Sequence, residues 1–261
     1  MSLHQFFLDE QVLEPLAAQG SPFDLLLSAE DAKHARVLRL APGEHVSVVD
    51  AAQDYFEVEV LSFEGSVPTC RIAQRLAKPT VRPGIVLVQG MAKGEKMDTV
   101  LRQATEIGIS EFVPLEAKRS VVKLDEKKAS KRLARWRQIA KSAAMQSGRI
   151  SLPVVHEPLG LADFVGLVGP DDVVLVFWEE AGLDQTVRRA FSRINADGAL
   201  LPTSKVFVVV GPEGGIDSSE ANYIEESCSS VFVLTLGDTI LRTETAGVVA
   251  PALVKAELDA Q

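Results

Sequence analysis

Two patterns of apolar and polar positions divide the chain. Up to about Ala77 the apolar runs are short: HVSVVDA, DYFEVEVLSF and PTCRIAQRL, separated by turns at APGE and FEGSVP. Alternation along YFEVEVLSF assigns Phe56, Val58, Val60 and Ser62 to one face of a half-buried strand. Short strands in such quick succession predict a small β-barrel over residues 1–77. The stretch AKPTVRPG follows, where Pro79 and Pro83 predict a stiff linker into a second domain, residues 78–261.

Beyond the linker, continuous apolar runs alternate with long amphipathic stretches. GIVLVQG, EFVPL, DVVLVFWEE, SKVFVVVG and SVFVLTLG read as strands apolar on both faces. They predict an α/β domain, a parallel sheet with helices on either side. In the helix EKMDTVLRQATEIGI, Met97, Val100, Leu101 and Ala104 face inward, while Lys96, Thr99, Gln103 and Glu106 form a polar stripe. The helix LDEKKASKRLARWRQIAKSAAMQS carries Leu133, Trp136, Ala140 and Ala143 as its apolar stripe, which assigns Trp136 to the core. Pro251 interrupts TETAGVVAPALVKAELD and predicts a kink or a break there. That apolar C-terminal helix is also a candidate dimer surface.

Composition adds bounds. The 261 residues hold enough apolar side chains for a sizeable core. No apolar run reaches the roughly 18 residues that span a bilayer, so no membrane association is expected. The opening MSLHQFFLDEQVLEP places an acidic pair where a signal peptide would stay apolar. Cys70 and Cys228 stand far apart and lack metal-ligand spacing. Neither a disulfide framework nor a metal site is expected, and a reducing cytoplasm is the expected location. Net charge is −9, yet residues 117–150 carry eleven Lys/Arg against two acids, leaving 16 basic and 34 acidic residues elsewhere. That asymmetry concentrates positive potential in one region, suited to a polyanion or simply to a solvated basic helix.

In open parallel sheets, ligands sit outside the carboxyl ends of the strands. Three loops end strands here: Trp178-Glu179-Glu180, the GPEGG turn (211–215), and LGDTILRTETA (236–246). Most glycine-rich turns after a strand hold a phosphate, but Glu213 in the middle of GPEGG would repel one. The turn matches neither GxGxxG nor the Walker pattern, which disfavours a dinucleotide oxidoreductase. Asp217 and Glu220 in DSSE form a capping box that leads the turn into a helix. In the last loop Leu241 suits one wall of a pocket for a flat ring, and Thr243 is the expected cap of the next helix. Arg242 and Glu244 have no evident purpose in the fold.

These residues carry a resemblance. GPEGG, a helix and then LGDTILRTETA resemble the cofactor-binding end of SPOUT-class RNA methyltransferases. HARVLRLAPGEHV (34–46), KGEKMDTVLRQATEIGISEFVPLEAKRSV and RWRQIAKSAAMQSGRISLPVV are similar to further motifs of the bacterial 16S rRNA uridine-N3 methyltransferase family (RsmE type). Lys33 stands where that family often has a second His. The resemblance implies a SPOUT-type α/β domain with a C-terminal trefoil knot, and a PUA-like N-terminal β-barrel that binds RNA. It implies S-adenosyl-L-methionine as cofactor, held by Trp178, Glu179, Gly211, Pro212, Glu213, Gly214, Gly215, Leu236, Gly237, Leu241, Arg242 and Thr243. The glycines of GPEGG would let backbone approach its ribose and amino-acid portions. It also implies a homodimer whose site takes residues from both subunits. The target would be one uridine in the decoding region of 16S rRNA, in the 30S subunit.

For the chemistry, Arg242 is expected to stabilise negative charge on the uracil carbonyls. Glu244 is a candidate base, or a carboxylate complementing the helix dipole. A phosphate-binding track is expected from Lys93, Lys96, Arg119, Lys123, Arg135 and Arg149, with Gln103 on the same polar stripe as Lys96. His34, Arg36 and Arg39 are the expected contacts of the N-terminal domain, and Gln146 with Ser147 is expected to face the uridine. Gly148 reads equally as a helix C-terminal glycine. Two other readings stay open: a related knotted methyltransferase acting on a ribose 2′-hydroxyl or a tRNA, and a non-catalytic RNA-binding assembly factor.

Overall fold

The computed structural model describes residues 3–78, 80–196, 198 and 200–260. Pro79, one half of the expected linker, lies outside them. The chain forms two compact units, one of residues 1–80 with 144–151, the other of residues 81–143 and 152–261.

The first unit contains β1 (His4–Phe7), α1 (Glu14–Gln19), β2 (Phe23–Asp24), α2 (Ala29–Val37), β3 (His45–Val49), β4 (Tyr55–Glu64) and β5 (Val67–Arg75). Its strands form one sheet in the order β1-β3-β4-β5-β2. β1 runs parallel to β3, and the other pairs are antiparallel. Phe56, Val58 and Val60 are fully buried with Phe6, Leu13 and Cys70. Ser62 does not follow them. The β4–β5 register shifts between Val60 and Ser62, and the irregularity leaves Ser62 in solvent. Buried Asp50 organises the neighbouring loops by accepting from the backbone N–H groups of Leu13, Ala52 and Asp54 at 2.8, 2.9 and 2.9 Å. Ser28 caps α2 by accepting from the Asp31 N–H at 3.1 Å. Residues 144–151 join this unit through Ala144, Met145 and Ile150, which cluster with Phe7, Val49 and Tyr55. The Arg149 carbonyl also accepts from Gln5 Nε2.

The second unit contains β6 (Gly84–Gly90), α3 (Lys96–Ile107), β7 (Glu111–Leu115), α4 (Glu126–Ser147, its final turn counted with the first unit), β8 (Val154–Val155) and α5 (Leu161–Val165). It continues with β9 (Val173–Phe177), α6 (Val187–Ala196), β10 (Lys205–Val210), α7 (Ser218–Ser227), β11 (Val231–Leu234) and α8 (Thr243–Asp259). The strands are parallel throughout, in the order β11-β9-β10-β6-β7-β8. Alternate side chains feed two cores. Ile85 and Leu87 of β6 join Met97, Leu101, Trp136, Phe191 and Ala250 from α3, α4, α6 and α8. Val86 and Val88 join Phe164, Ala221 and Ile224 from α5 and α7. Helices therefore cover both faces, which is why the strand sequences are apolar without alternation.

Trp136 is fully buried, and its indole N–H donates to Asp98 Oδ1 at 3.0 Å. α8 runs through Pro251 unbroken from Thr243 to Asp259. The proline withholds an N–H from the carbonyl one turn back, but burial of Ala250, Val254 and Leu258 holds the helix on the sheet. A Cβ at Gly247 would fall 2.3 Å from Gln89 Oε1 and 2.9 Å from Val100. Glycine there lets α8 lie directly on β6 and α3. Among the described residues, no helix is long and apolar enough to cross a membrane.

Candidate active site

The three loops singled out by their sequence meet. They leave the carboxyl ends of β9, β10 and β11 and enclose a cleft of about 460 Å3. Trp178, Glu179, Gly211, Pro212, Glu213, Gly215, Leu236, Gly237, Leu241, Arg242 and Thr243 line it, joined by Asp238, Ile240 and Leu183. Gly214 is outside the lining. Its carbonyl accepts from Arg119 Nη1 at 3.0 Å, and a Cβ on it would sit 3.0 Å from Arg119 Cβ.

The glycines of GPEGG let the protein pack closely on itself. The Gly215 N–H donates to the Pro212 carbonyl at 2.9 Å and closes the turn. Gly215 has φ +71°, and a Cβ there would fall 2.1 Å from Glu179 Oε1. A Cβ on Gly211 would strike the Gly215 backbone at 2.6 Å, and one on Gly90, at the end of β6, would strike Pro212 at 2.4 Å. The space freed by the missing side chains is filled by protein, so these glycines compact the turn and seat Glu179 against it. The capping box after the turn is present, Asp217 and Glu220 each bonding the other's backbone. Serine and lysine hydrogen bonds, from Ser219 first and then Lys118, hold the Asp217 carboxyl well below the usual range.

A buried tie lies under the cleft. Gln89 Nε2 donates to Thr243 Oγ1 at 2.9 Å, and Thr243 Oγ1 donates to the Gly211 carbonyl at 2.6 Å. Thr243 is thus not the cap of α8. Arg242 occupies that position, with φ −64° and ψ 150° and no side-chain cap bond, while the threonine hydroxyl pins the glycine turn to the start of the helix. Gln89 escaped the sequence reading, and the signal available was its polarity within the apolar run GIVLVQG.

Lys96 lies on the polar side of α3, and that side meets the glycine turn. It lines the cleft, with Nζ 3.1 Å from Glu213 Oε1 and 3.1 Å from Glu244 Oε2. These contacts with Glu213 and Glu244 raise the lysine pKa. Burial pushes the Glu213 carboxyl upward, but its own N–H, the Lys93 N–H at 3.1 Å and Lys96 together bring it below the ordinary value. Glu244 is held low first by its own backbone N–H, against burial, then by Lys96 and the charge of Arg242. Both carboxylates are therefore ionised at neutral pH.

The other residues expected to meet RNA are distributed as follows. Lys93, Lys96 and Arg119 gather around the glycine turn, Arg119 also lying 3.3 Å from Asp217. Arg135 pairs with Asp98 at 2.5 Å, and Gln103 and Lys123 are exposed. In the first unit, His34 and Arg36 are exposed on α2, and Arg39 follows in the left-handed region at φ +55°. The His34 ring meets Phe6 edge-on at 6.3 Å. Gln146 is exposed, while burial lowers the Arg149 pKa to about 10.

The chain is also similar to known proteins. Residues 80–255 match the family model described as an RNA methyltransferase domain. The ribosomal RNA small subunit methyltransferase E of Bacillus subtilis is 33% identical over 224 residues, covering 84% of this chain and 85% of its own. The protein of that name from Mycobacterium tuberculosis is 33% identical over 220 residues, covering 83% and 79%. The crystal structure of the Neisseria gonorrhoeae ribosomal RNA small subunit methyltransferase E, bound to S-adenosyl methionine, superposes with a TM-score of 0.77 at 26% identity, covering 97% of each chain. The chain belongs to the RNA methyltransferase family and, within it, to the ribosomal RNA small subunit methyltransferase E proteins.

Proposed function

We propose that the protein transfers a methyl group from S-adenosyl-L-methionine to N3 of one uridine in the decoding region of 16S rRNA, in the 30S subunit. The observation that carries this reading is the convergence of three strand-end loops on one cleft, in a chain of the small-subunit rRNA methyltransferase family. The cleft residues suit the cofactor. The Trp178 indole N–H is buried with no hydrogen-bond partner among the described residues. Leu236 and Leu241 supply apolar wall, and Glu179, Glu213 and Asp238 supply carboxylates for ribose hydroxyls and for positive charge. The sequence-derived cofactor set would hold it, with Gly214 fixing the turn from behind.

When bound, the cofactor supplies a methyl group already activated for transfer. The protein's own work is to orient the uracil and remove its N3 proton. Arg242 stabilises negative charge on the uracil carbonyls, and Glu244 accepts the proton. Its lowered pKa keeps Glu244 in the accepting form and also makes it a weak base.

We assign the second unit to the SPOUT class with a trefoil knot. In support, β11 lies outside β9 whereas α8 packs on β6, β10 and α3, so residues 235–242 travel back past the other two cleft loops. The first unit is assigned as a PUA-like RNA-binding barrel, with His34, Arg36 and Arg39 on its exposed surface. The active form is a homodimer in the bacterial cytoplasm, where its ribosomal substrate is made.

The test uses labelled S-adenosyl-L-methionine and 30S subunits lacking the modification, with reverse transcription to map the product. A methyl on uracil N3 blocks base pairing and stops the transcriptase. One cofactor-dependent stop in the decoding region is expected. Transfer without a stop would move the target to a ribose or another atom. The same preparation should sediment as a dimer at micromolar concentration; a monomer there would refute the shared site.

A further inference from the structure

We infer that Lys96, Glu244 and Arg242 together read the imide edge of the target uracil, and that Lys96 is a catalytic cation rather than a phosphate contact. The inference rests on the uracil-N3 reading above. Lys96 comes from the first turn of α3, not from any of the three cleft loops, yet its ammonium group lies in the cleft wall between Glu213 and Glu244. An ammonium has three donors. The two carboxylates each lie 3.1 Å from it, and Lys96 lines the cleft. Lys93 and Lys123, by contrast, are exposed as phosphate-seeking lysines should be.

The kinds of group gathered here have chemical content. The imide edge of uracil presents an acceptor, a donor and an acceptor: one carbonyl, N3–H, the other carbonyl. Lys96 and Arg242, which line the cleft, supply donors, and Glu244, 3.1 Å from Lys96, supplies an acceptor. Cytosine would set an amino donor against a cation and a bare ring nitrogen against the Glu244 carboxylate, two mismatches. Enzymes that act on a base read its extruded edge in this way.

The same arrangement explains how a weak base suffices. An imide N–H is a far weaker acid than a carboxylic acid, so Glu244 alone removes little. With cations on both carbonyls, the anion left by the departing proton is stabilised where its charge develops. The N3 proton passes to a Glu244 oxygen, and the freed N3 electron pair forms the new bond to the methyl carbon. The methyl–sulfur bond breaks with its pair left on sulfur, and Glu244 releases the proton to water. Glu213 holds Lys96 from the other side.

Four proteins decide the matter: wild type, Lys96→Met, Lys96→Arg, and Lys96→Met combined with Glu244→Gln. Each is assayed in single-turnover transfer to unmodified 30S subunits across pH, with calorimetry for cofactor affinity and filter binding across salt for RNA. Lys96→Met should slow transfer at saturating cofactor and subunit by roughly 100- to 1,000-fold, as loss of one charge-stabilising donor does. Its rate should keep rising toward higher pH, and Lys96→Arg should recover much of the loss. RNA affinity and its salt dependence should stay within about 2-fold of wild type. A normal saturated rate with weakened RNA binding and a salt slope shallower by about one would make Lys96 a phosphate contact and overturn the inference. So would weak cofactor binding whose rate recovers at saturation, which is the mark of a loop clamp only.

The double variant removes the repulsion between two carboxylates left facing each other. It should melt like wild type and remain slow; a recovered rate would overturn the inference. Mapping of the wild-type product separates the two levels. A product methylated elsewhere sinks the uracil-N3 reading and this inference with it. An N3 product made equally well by Lys96→Met sinks the inference alone.

Discussion

A side chain at Gly215 would need φ +71° and would collide with Glu179 Oε1 at 2.1 Å, so this one position couples backbone conformation to the shape of the cleft. Gly215→Ala should therefore cost the backbone strain of a left-handed alanine, about 1–3 kcal/mol, and displace the Glu179 carboxylate as well. Glu179 must also leave its seat, and cofactor affinity measured by calorimetry should fall by about 10-fold or more, equivalent to roughly 1.4 kcal/mol. Gly43→Ala is the matched control, because Gly43 has φ +89° with open space around its Cα. It should lower the melting temperature without touching cofactor affinity. Equal affinity in wild type and Gly215→Ala would mean that the position of Glu179 is irrelevant to binding. Residue identity alone gave glycine's freedom at this turn. It gave neither that the freedom is used to pack Glu179 nor that Thr243 and Gln89 hold the turn from below, because each of those contacts joins segments remote in sequence.

At the scale of elements, the parallel strands are pinned at the end away from the cleft. Glu111, the first residue of β7, accepts from or pairs with His156 just after β8 at 2.7 Å and with Lys205 at the start of β10 at 2.6 Å. The hydrogen bond from His156, against burial, and then Lys205 bring the Glu111 pKa from 4.5 down to about 2. A depressed carboxylate pKa stabilises the fold above the unfolded value and stops doing so as pH falls through the folded one. Wild type should therefore lose about 1–3 kcal/mol relative to Glu111→Gln between roughly pH 5 and pH 3, read from denaturation midpoints. Parallel pH curves for the two proteins would discard this pin.

The elements themselves were largely legible. β6, β7, β9, β10 and β11 announce themselves as unbroken apolar runs because both faces of their sheet are covered. β8 has two residues and no pattern to show. α2 lacks an apolar stripe, with only Asp31 and Ala35 buried, so nothing marked it as helix. Lys96 sat correctly on the polar side of α3, but a helix pattern gives a face and not its neighbour, and that neighbour is the glycine turn.

For the whole molecule, the decisive quantity is the distribution of charge rather than its sum. The chain carries −9 overall, and a uniformly acidic surface would repel rRNA. Arg36 and Arg39 stand exposed on the first unit, whereas the cleft residues belong to the second. If the first unit binds the rRNA backbone, the two functions separate by mutation. Arg36→Gln with Arg39→Asn suits this test, since asparagine tolerates the left-handed conformation that Arg39 adopts at φ +55°. The pair should weaken binding to 16S rRNA and make the plot of log affinity against log salt shallower by about one to two, the signature of one or two lost phosphate contacts. Cofactor affinity should not change, because neither residue reaches the cleft lining. The saturated methyl-transfer rate should likewise persist, with the concentration of 30S subunits needed for half-maximal rate raised. An unchanged salt slope would take Arg36 and Arg39 out of the RNA interface and leave Lys93, Lys123 and Arg119 of the second unit as the residues to test for that role.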